Sequence, residues 1–352
     1  MRILVATDAW HPQVNGVVRT LATVAETVTS LGVDISFLTP QSFATMALPS
    51  YPDLRIALPG AGRIARLIEA ARADSIHIAT EGPVGIMVRR YCCRHNLPFT
   101  TSFHTRFPDY IAARLPIPEA WIWAALRRFH GPSQAVMAAT PALADELRRR
   151  GFPNVVLWPR GVDTNLFRPA AVDLGLPRPV FLSVGRVAVE KNLEAFLKLD
   201  LPGTKVIVGD GPARAALERD YPDVVFLGAM QGEQLRQVYA AADVFVFPSK
   251  TDTFGLVLLE ALASGVPVAA FPVAGPKDVI GDRPVGSLNE DLQQACLSAL
   301  TLSRAACREF ALKQTWLASA RAFVDNVNRA RMASLERDQP GHHTVPPERT
   351  AA

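Results

Sequence analysis

The chain has 352 residues, of which 49% are apolar and 20% charged, and it carries a formal net charge of +4. This length predicts two domains of roughly 150 residues each, and the composition is that of a globular protein and not of a disordered one. The weak positive charge, without Lys/Arg runs interleaved with aromatic residues, argues against nucleic-acid binding, and no apolar stretch reaches the roughly 18 residues of a membrane-spanning helix.

The first half of the chain alternates short β-branched runs with helical stretches. The predicted strands are residues 3–7, 34–38, 75–79, 99–103, 135–139 and 155–158. The predicted helices include residues 17–30, 64–73, 84–95 and 141–150. Alternation of this kind predicts a parallel, doubly wound sheet.

Residues 168–179 (RPAAVDLGLPRP) carry three prolines and no periodicity, so we interpret them as an interdomain linker. After them the alternation restarts. The predicted strands are residues 180–184, 205–208, 224–227, 244–247 and 266–270, and the predicted helices are residues 193–199, 214–220, 233–241, 256–264 and 291–300.

The sequence therefore predicts an α/β protein of two Rossmann-like domains, residues 1–168 and 169–315, facing each other across a cleft. A helix at 316–335 is expected to return to the first domain, and the polar residues 336–352 are expected to be disordered. Open parallel sheets bind ligands at the carboxyl ends of their strands, so the loops there should carry the site.

The first such loop in the second half holds two cations. Gly185 and Arg186 follow a predicted strand, and Lys191 comes five residues after Arg186. A planar guanidinium and a point charge suit a diphosphate, although two solvated surface cations remain the alternative. The next strand ends in Gly209-Asp210-Gly211, a tight turn that any strand-to-helix connection could use.

The stretch KTDTFGLVLLEALASGVPV places Asp252 before a predicted helix and Glu260 inside it. Asp252 could cap the helix and Glu260 could be a surface acid. The apolar neighbours of Glu260 argue against a wet face, however, and the helix N-terminus near Gly255 attracts anions. We therefore favour a polar ligand for both acids.

Five ordered motifs resemble the retaining GT-B glycosyltransferases, a large family with bacterial mannosyl-, glucosyl- and sulfoquinovosyltransferases (glycosyl transferases group 1). They are GR-x4-K, VGDGPAR, FLGAM, ADVFVFPS and D-T-F-G-x4-EALASGVPV, and DAWHPQVNGVVRTL and RGVDTNLFRP also match. The resemblance runs from Met1 to about Val327. It implies a hexosyl transfer from a nucleotide-diphosphate sugar.

The resemblance also assigns roles in the donor site. Asp252, where many relatives have Glu, would bind the donor sugar, and Glu260 would bind the ribose. The backbone at Thr253, Phe254 and Gly255 would contact sugar and phosphate. Arg186 and Lys191 would bind the diphosphate and stabilise its departure. The backbone of five small residues would also belong to the donor site: Gly16, Gly209, Gly211, Gly228 and Ala229. The last two of these would lie beside the base.

Two features of the first domain follow from the same resemblance. Relatives usually carry two glycines where this chain has Asn15-Gly16. His104 matches a histidine that contacts the reacting sugar, whereas a lone His is more often structural.

The family needs neither a metal ion nor another cofactor, and we find no suitably placed Asp-x-Asp metal motif. The resemblance implies that the departing diphosphate takes the acceptor's proton.

The acceptor is suggested only by residues 111–130, where Trp121 and Trp123 lie beside arginines. They could seat a helix at an anionic membrane surface, or both tryptophans could be core residues. Lipid acceptors among relatives favour a glycolipid synthase acting on diacylglycerol or a lipid-linked sugar. A soluble or polysaccharide acceptor is the alternative.

For the donor we slightly favour a UDP-sugar, with GDP-mannose as the alternative. The start MRILVATDAW has no signal-peptide pattern and the four cysteines form no C-x-x-C pair, so we expect a cytoplasmic protein, peripheral on the inner face of the membrane. An oxidoreductase is disfavoured, because no G-x-G-x-x-G follows the first strand. A non-catalytic sugar-binding scaffold is disfavoured by the joint presence of Arg186, Lys191, Asp252 and Glu260.

Overall fold

Each half of the chain forms a six-stranded parallel sheet in the computed structural model, which describes residues 1–13, 15–48, 51–104, 117–252 and 254–337. The strands of the first half are β1 (Arg2–Ala6), β2 (Asp34–Leu38), β3 (Thr45–Leu48), β4 (Tyr51–Ala57), β5 (Ser75–Ile78), β6 (Phe99–Phe103), β7 (Ala135–Ala138) and β8 (Val155–Leu157). The first sheet has the order β2-β1-β5-β6-β7-β8, while β3 and β4 form a separate antiparallel hairpin.

The helices of the first half alternate with these strands. They are α1 (Gly16–Val28), α2 (Ala61–Ala71), α3 (Pro83–Arg94), α4 (Glu119–His130) and α5 (Pro141–Arg149). Successive residues of β1 point to opposite faces of the sheet: Ile3 and Val5 pack in one apolar cluster, and Leu4 and Ala6 in another. Helices therefore cover both faces, which explains the almost continuous apolar runs of strands such as β1 and β7.

The second half repeats this plan. Its strands are β9 (Val180–Val184), β10 (Thr204–Val208), β11 (Val225–Phe226), β12 (Val244–Phe247), β13 (Val268–Ala270) and β14 (Gly286–Leu288), in the order β11-β10-β9-β12-β13-β14. Its helices are α6 (Glu194–Leu197), α7 (Arg214–Asp220), α8 (Gly232–Ala241), α9 (Leu256–Ala263), α10 (Pro276–Val279), α11 (Leu292–Ala299) and α12 (Arg304–Leu312). The predicted fold class, two doubly wound parallel-sheet domains, is confirmed.

The chain crosses between the two sheets twice, and the crossings touch. Val162 on the first crossing forms a parallel bridge with Thr315 on the second. The second crossing leads into α13 (Trp316–Arg337), which returns to the first sheet and buries Phe323 and Val327 against α1 and β1. The predicted return of the C-terminal helix to the first domain is therefore confirmed.

Several boundaries differ from the predicted ones. Val162 and Phe167, assigned by sequence to the first domain, pack in the core of the second. Helix α13 continues through Arg337, so the predicted disordered tail does not begin at Glu336, and its remainder, residues 338–352, lies outside the described residues. The sequence also did not predict the β3–β4 hairpin or β14.

Candidate functional site

The second sheet reverses its strand order at its centre. The chain leaves β9 for β10 on one side and β12 for β13 on the other. The loops after β9 (185–192) and β12 (248–255) therefore diverge and leave a crevice at the carboxyl edge, which is where open α/β sheets bind ligands. Most of the residues assigned to the donor site lie on these loops or on the neighbouring loop after β10.

Lys191 and Asp252, predicted separately, form an ion pair across this crevice. The Lys191 Nζ atom lies 2.6 Å from Asp252 Oδ1, and both side chains are largely buried. The adjacent Asn192 donates to the Pro248 carbonyl over 3.0 Å and so ties the two loops together. Asp252 Oδ2 is buried and, among the described residues, accepts no hydrogen bond. This carboxylate therefore keeps an acceptor atom available inside the crevice.

Asp252 is not the cap of helix α9. The N-cap residue is Gly255, at φ 81°, and no side chain caps the helix N-terminus in the described structure. The N–H groups of the first turn, which have no partner within the helix, can therefore donate hydrogen bonds to a bound anion. Phe254 packs against the apolar core of the second domain. Thr253 lies outside the described residues.

Glu260 is buried, as the sequence indicated, and the alternative of a surface acid is wrong. Its side chain is 3% exposed and its Oε1 atom lies 2.5 Å from Nη2 of Arg19 on α1, in the other domain. Its Oε2 atom accepts a hydrogen bond from the Tyr239 hydroxyl over 3.0 Å. Neither partner was predicted from the sequence, because each lies on a different helix that only the tertiary fold brings close.

The charge of this cluster follows from burial and pairing. Burial lowers the pKa of Arg19, but the Glu260 carboxylate outweighs that effect, so the pKa is raised. Burial, reinforced by the negative charge of Glu260, raises the pKa of Tyr239 well above its usual range. At neutral pH, Tyr239 therefore stays a hydroxyl donor, and Arg19 stays a cation.

The glycines of the β10 loop have a packing role that the sequence did not reveal. A Cβ on Gly209, at φ 145°, would lie 1.8 Å from the Gly185 carbonyl oxygen, and one on Gly211 would lie 2.4 Å from the Val187 carbonyl oxygen. These glycines therefore allow the β9 and β10 loops to touch. Gly209 N–H also donates to the Gly228 carbonyl over 2.8 Å, which links the loop after β11 to the same edge.

Arg186 and Ala229 are the remaining residues of the second domain that the sequence assigned to the site. Arg186 is exposed on the β9 loop, and Ala229 is exposed beside the buried Gly228. Both lie at the carboxyl edge of the second sheet, in the half that contains β9, β10 and β11.

The first domain places the start of α1 against the start of α9. A Cβ on Gly16 would lie 3.7 Å from Leu256 Cδ1, so the two helix N-termini face one cleft. Asn15 caps α1: its Oδ1 atom accepts from the N–H groups of Val17 and Val18, at 3.0 Å each. Asn15 therefore occupies two of the N–H groups at this helix start.

His104 lies at the end of β6 beside a buried arginine. Arg160 donates from Nη2 to His104 Nδ1 over 3.2 Å, which places the ring proton on Nε2. Burial, together with the positive charge of Arg160, lowers the pKa of His104 well below its usual range, so the imidazole is neutral. Burial also lowers the pKa of Arg160 to about 9.

A cavity of about 510 Å³ opens between the domains. Arg19, Glu260 and Leu256 line it together with residues 161–167 of the first crossing. Asp163, on that crossing, uses Oδ1 to accept from the N–H groups of Asn165 and Leu166, so it shapes the wall. Within the part of the chain that the structure describes, no three His, Cys, Asp or Glu side chains are grouped so as to hold a metal ion.

Comparisons with known proteins agree with this architecture. The profile described as Glycosyltransferase Family 4 matches residues 14–166, and the one described as Glycosyl transferases group 1 matches residues 178–302. A GDP-mannose-dependent alpha-mannosyltransferase of Mycobacterium tuberculosis is 30% identical over 316 residues, 82% of this chain and 83% of the relative. Alpha-monoglucosyldiacylglycerol synthase of Streptococcus pneumoniae is 26% identical over 347 residues, 85% of this chain and 78% of that protein.

Among solved structures, sucrose-phosphate synthase of Thermosynechococcus elongatus superposes with a TM-score of 0.73 at 20% identity, covering 94% of this chain and 99% of that one. Two parallel-sheet domains that face a cleft form the GT-B fold. The chain belongs to the group 1 glycosyltransferases, which transfer a sugar from a nucleotide-sugar donor.

Proposed function

We propose that this enzyme moves a hexosyl group from a nucleotide-diphosphate sugar to a lipid acceptor, with retention of the anomeric configuration and without a metal ion or other cofactor. One observation carries the proposal. The Lys191–Asp252 pair lies at the switch point of the second sheet, beside a helix N-terminus that no side chain of the described residues caps. A cation, an open carboxylate oxygen and helix N–H groups match a diphosphate linked to a sugar.

In this proposal Asp252 Oδ2 accepts a hydrogen bond from a sugar hydroxyl while Oδ1 keeps its contact with Lys191. Lys191 and Arg186 bind the diphosphate, and the N–H groups at Gly255 and at Gly16 approach its oxygens. Glu260 accepts from the ribose hydroxyls, and the backbone at Gly228 and Ala229 borders the base. His104, kept neutral by burial and by the positive charge of Arg160, donates from Nε2 to the reacting sugar.

The proposed reaction breaks the bond between the anomeric carbon and the diphosphate oxygen, and the electron pair leaves with the diphosphate. The acceptor hydroxyl forms the new bond to the anomeric carbon on the same face. Its proton passes to the departing diphosphate oxygen, so no protein base is consumed. The negative charge on the leaving group grows as the bond breaks, and Arg186 and Lys191 stabilise it there.

Two donors have support. The sequence favours a UDP-sugar, whereas the mannosyltransferase relative, whose name specifies GDP-mannose, is matched over more than four-fifths of its length. The base lies against backbone atoms, which side-chain identity specifies poorly. We therefore propose GDP-mannose as the first donor to test and UDP-glucose as the second.

The lipid acceptor is supported by one relative and one surface. The glucosyldiacylglycerol synthase relative names a lipid product. Trp123, one of the two tryptophans considered for membrane contact, is 2% exposed and belongs to the core, whereas Trp121 is 72% exposed and Ile117 is 39% exposed. Ile117 lies just before helix α4, and Trp121 lies in it, as do Arg127 and Arg128, which are exposed in its last turn. Exposed apolar and basic residues on one helix are typical of contact with an anionic membrane surface.

The test measures nucleotide release from GDP-mannose, UDP-glucose and other UDP-sugars. Each donor is incubated with the full chain, with and without anionic vesicles that contain diacylglycerol. We expect one donor to be turned over only with vesicles, and the product to keep the donor's α configuration by proton NMR. Equal release without vesicles would remove the lipid acceptor, and an inverted product would remove retention. Loss of all release in the presence of EDTA would contradict metal independence.

A further inference from the structure

An ion pair between Arg19 and Glu260 joins the two domains. Glu260 is the residue that binds the ribose in the proposed function. Arg19 belongs to α1 of the first domain, and Glu260 belongs to α9 of the second. The Nη2 and Oε1 atoms are 2.5 Å apart, and the Glu260 side chain is 3% exposed while that of Arg19 is 43% exposed. The buried partner of the pair is therefore the acid.

Arg19 is the only cation that this buried acid contacts in the described structure. A buried carboxylate costs free energy unless it is paired and hydrogen-bonded. The other described partner, Tyr239, donates a neutral hydroxyl at 3.0 Å. Arg19 therefore provides the compensation for the charge of Glu260 and fixes the position of Oε1.

The carboxylate still has room for a ligand. Its two oxygens together offer about four acceptor positions, and each oxygen has one described partner. Arg19 and Glu260 both line the interdomain cavity of about 510 Å³. Two neighbouring hydroxyls of a ribose could thus donate to the remaining positions while Arg19 stays in contact with Oε1.

We propose that Arg19 is a positioning residue for the nucleotide: it holds Glu260 across the domain interface in the orientation that accepts the two ribose hydroxyls. This inference rests on the proposed ribose role of Glu260. It follows that recognition of the ribose depends on the contact between the domains, although every other residue assigned to the nucleoside belongs to the second domain.

The experiment uses calorimetric titration of the full chain with UDP, GDP and their 2′,3′-dideoxy forms. The wild type is compared with Glu260→Gln, Arg19→Met, Arg19→Lys and the control Arg219→Met, which removes an exposed arginine of the second domain. The quantity of interest is the ratio of the two dissociation constants, dideoxy over ribose, for the base that binds. This ratio does not depend on the fraction of correctly folded protein.

We expect a wild-type ratio of about tenfold or more, because hydrogen bonds to a charged group are lost in the dideoxy form. Glu260→Gln and Arg19→Met should both bring the ratio to within about threefold of unity, and Arg19→Lys should restore part of it. The control should keep the wild-type ratio.

The following results would overturn the inference. A wild-type ratio in Arg19→Met, with both affinities reduced equally, would make Arg19 a phosphate ligand or a structural residue. Tighter binding in Arg19→Met would make Arg19 a competitor of the ribose. A ratio that Glu260→Gln leaves unchanged, or a wild-type ratio near unity, would reject the ribose role itself. Loss of the ratio in Glu260→Gln alone would reject only the role of Arg19.

Discussion

Burial determines what the acids of the second domain can do. Glu260 is surrounded in sequence by Leu258, Leu259 and Leu262, and that pattern correctly predicted a buried carboxylate. Its partners Arg19 and Tyr239 were not predictable, because an ion pair between distant helices leaves no local sequence signal. In the same way, Lys191 and Asp252 were each predicted for the site, but their direct contact was not.

Arg186 provides a test of leaving-group stabilisation. Arg186→Ala should lower kcat at least about tenfold and change the donor KM less than about threefold, because the charge on the diphosphate is largest in the transition state. Steady-state nucleotide release measures both constants, with Arg219→Ala as the matched exposed arginine. A raised donor KM with an unchanged kcat would instead indicate that Arg186 binds the ground state and the transition state equally.

His77 should make the protein less stable in acid. The imidazole is fully buried between the hydroxyls of Thr100 and Ser102, and burial, with a smaller contribution from Arg160, lowers its pKa to about 3. The unfolded chain binds the proton near pH 6.5, so the stability from neutral His77 is complete above that pH and is lost as pH falls towards 3. Between pH 7.5 and 5.0 the loss is about 2 kcal/mol.

The measurement is urea unfolding of the wild type and of His77→Gln at these two pH values. The variant should lack about 2 kcal/mol of the pH-dependent loss, whatever its stability at pH 7.5. The same change in unfolding free energy for both proteins would show that His77 is not the group responsible.

At the scale of elements, buried strands were predictable and short edge elements were not. The central strands β6, β7, β9 and β12 are buried except at Val184, β7, β9 and β12 are mostly apolar, and the predicted bounds of all four differ from the observed ones by at most one residue. In contrast, β14 consists of Gly286, Ser287 and Leu288, which carry no β-branched signal, and prolines interrupt the β3–β4 hairpin. These elements form through pairing with neighbours and not through local preference.

The contact between the β9 and β10 loops can be tested through Gly209. Gly209→Ala would place a methyl group 1.8 Å from the Gly185 carbonyl oxygen, so one loop must move. We expect a loss of about 2–4 kcal/mol in unfolding free energy and weaker nucleotide binding. Gly175→Ala is the control: its φ is 66°, but apart from the adjacent residues no atom of the described structure lies within 4 Å of the added Cβ, so only about 1 kcal/mol of backbone strain applies. Equal losses in the two variants would contradict the steric explanation.

Helix α4 carries the test of membrane contact. Trp121→Ser should weaken binding to anionic vesicles about tenfold, because one large apolar side chain no longer leaves water. Cosedimentation with vesicles measures this binding, and Leu312→Ser, at a site 47% exposed in the second domain, is the control. If the two variants bind vesicles equally well, α4 is not the contact.

No helix of the described residues has the length and hydrophobicity of a membrane-spanning segment.

For the whole molecule, the sequence predicted two domains but not how they meet. The Pro-rich run at 168–179 and the restart of the alternation indicated the division. The contacts across it in the described part of the chain include Arg19 with Glu260 and the N–H of Ala142 with Asp278 Oδ1, the latter at 3.2 Å. Both depend on the relative placement of two complete sheets, which periodicity within either half does not encode.

The central claim is that the carboxyl edge of the second sheet holds the nucleotide and that α1 of the first domain meets it there. Hydrogen exchange of the full chain, measured by mass spectrometry with saturating UDP or GDP, tests this most directly. We predict slower exchange at residues 185–192, 209–213 and 254–260, and at the start of α1. Unchanged exchange at these segments, with protection elsewhere, would contradict the account.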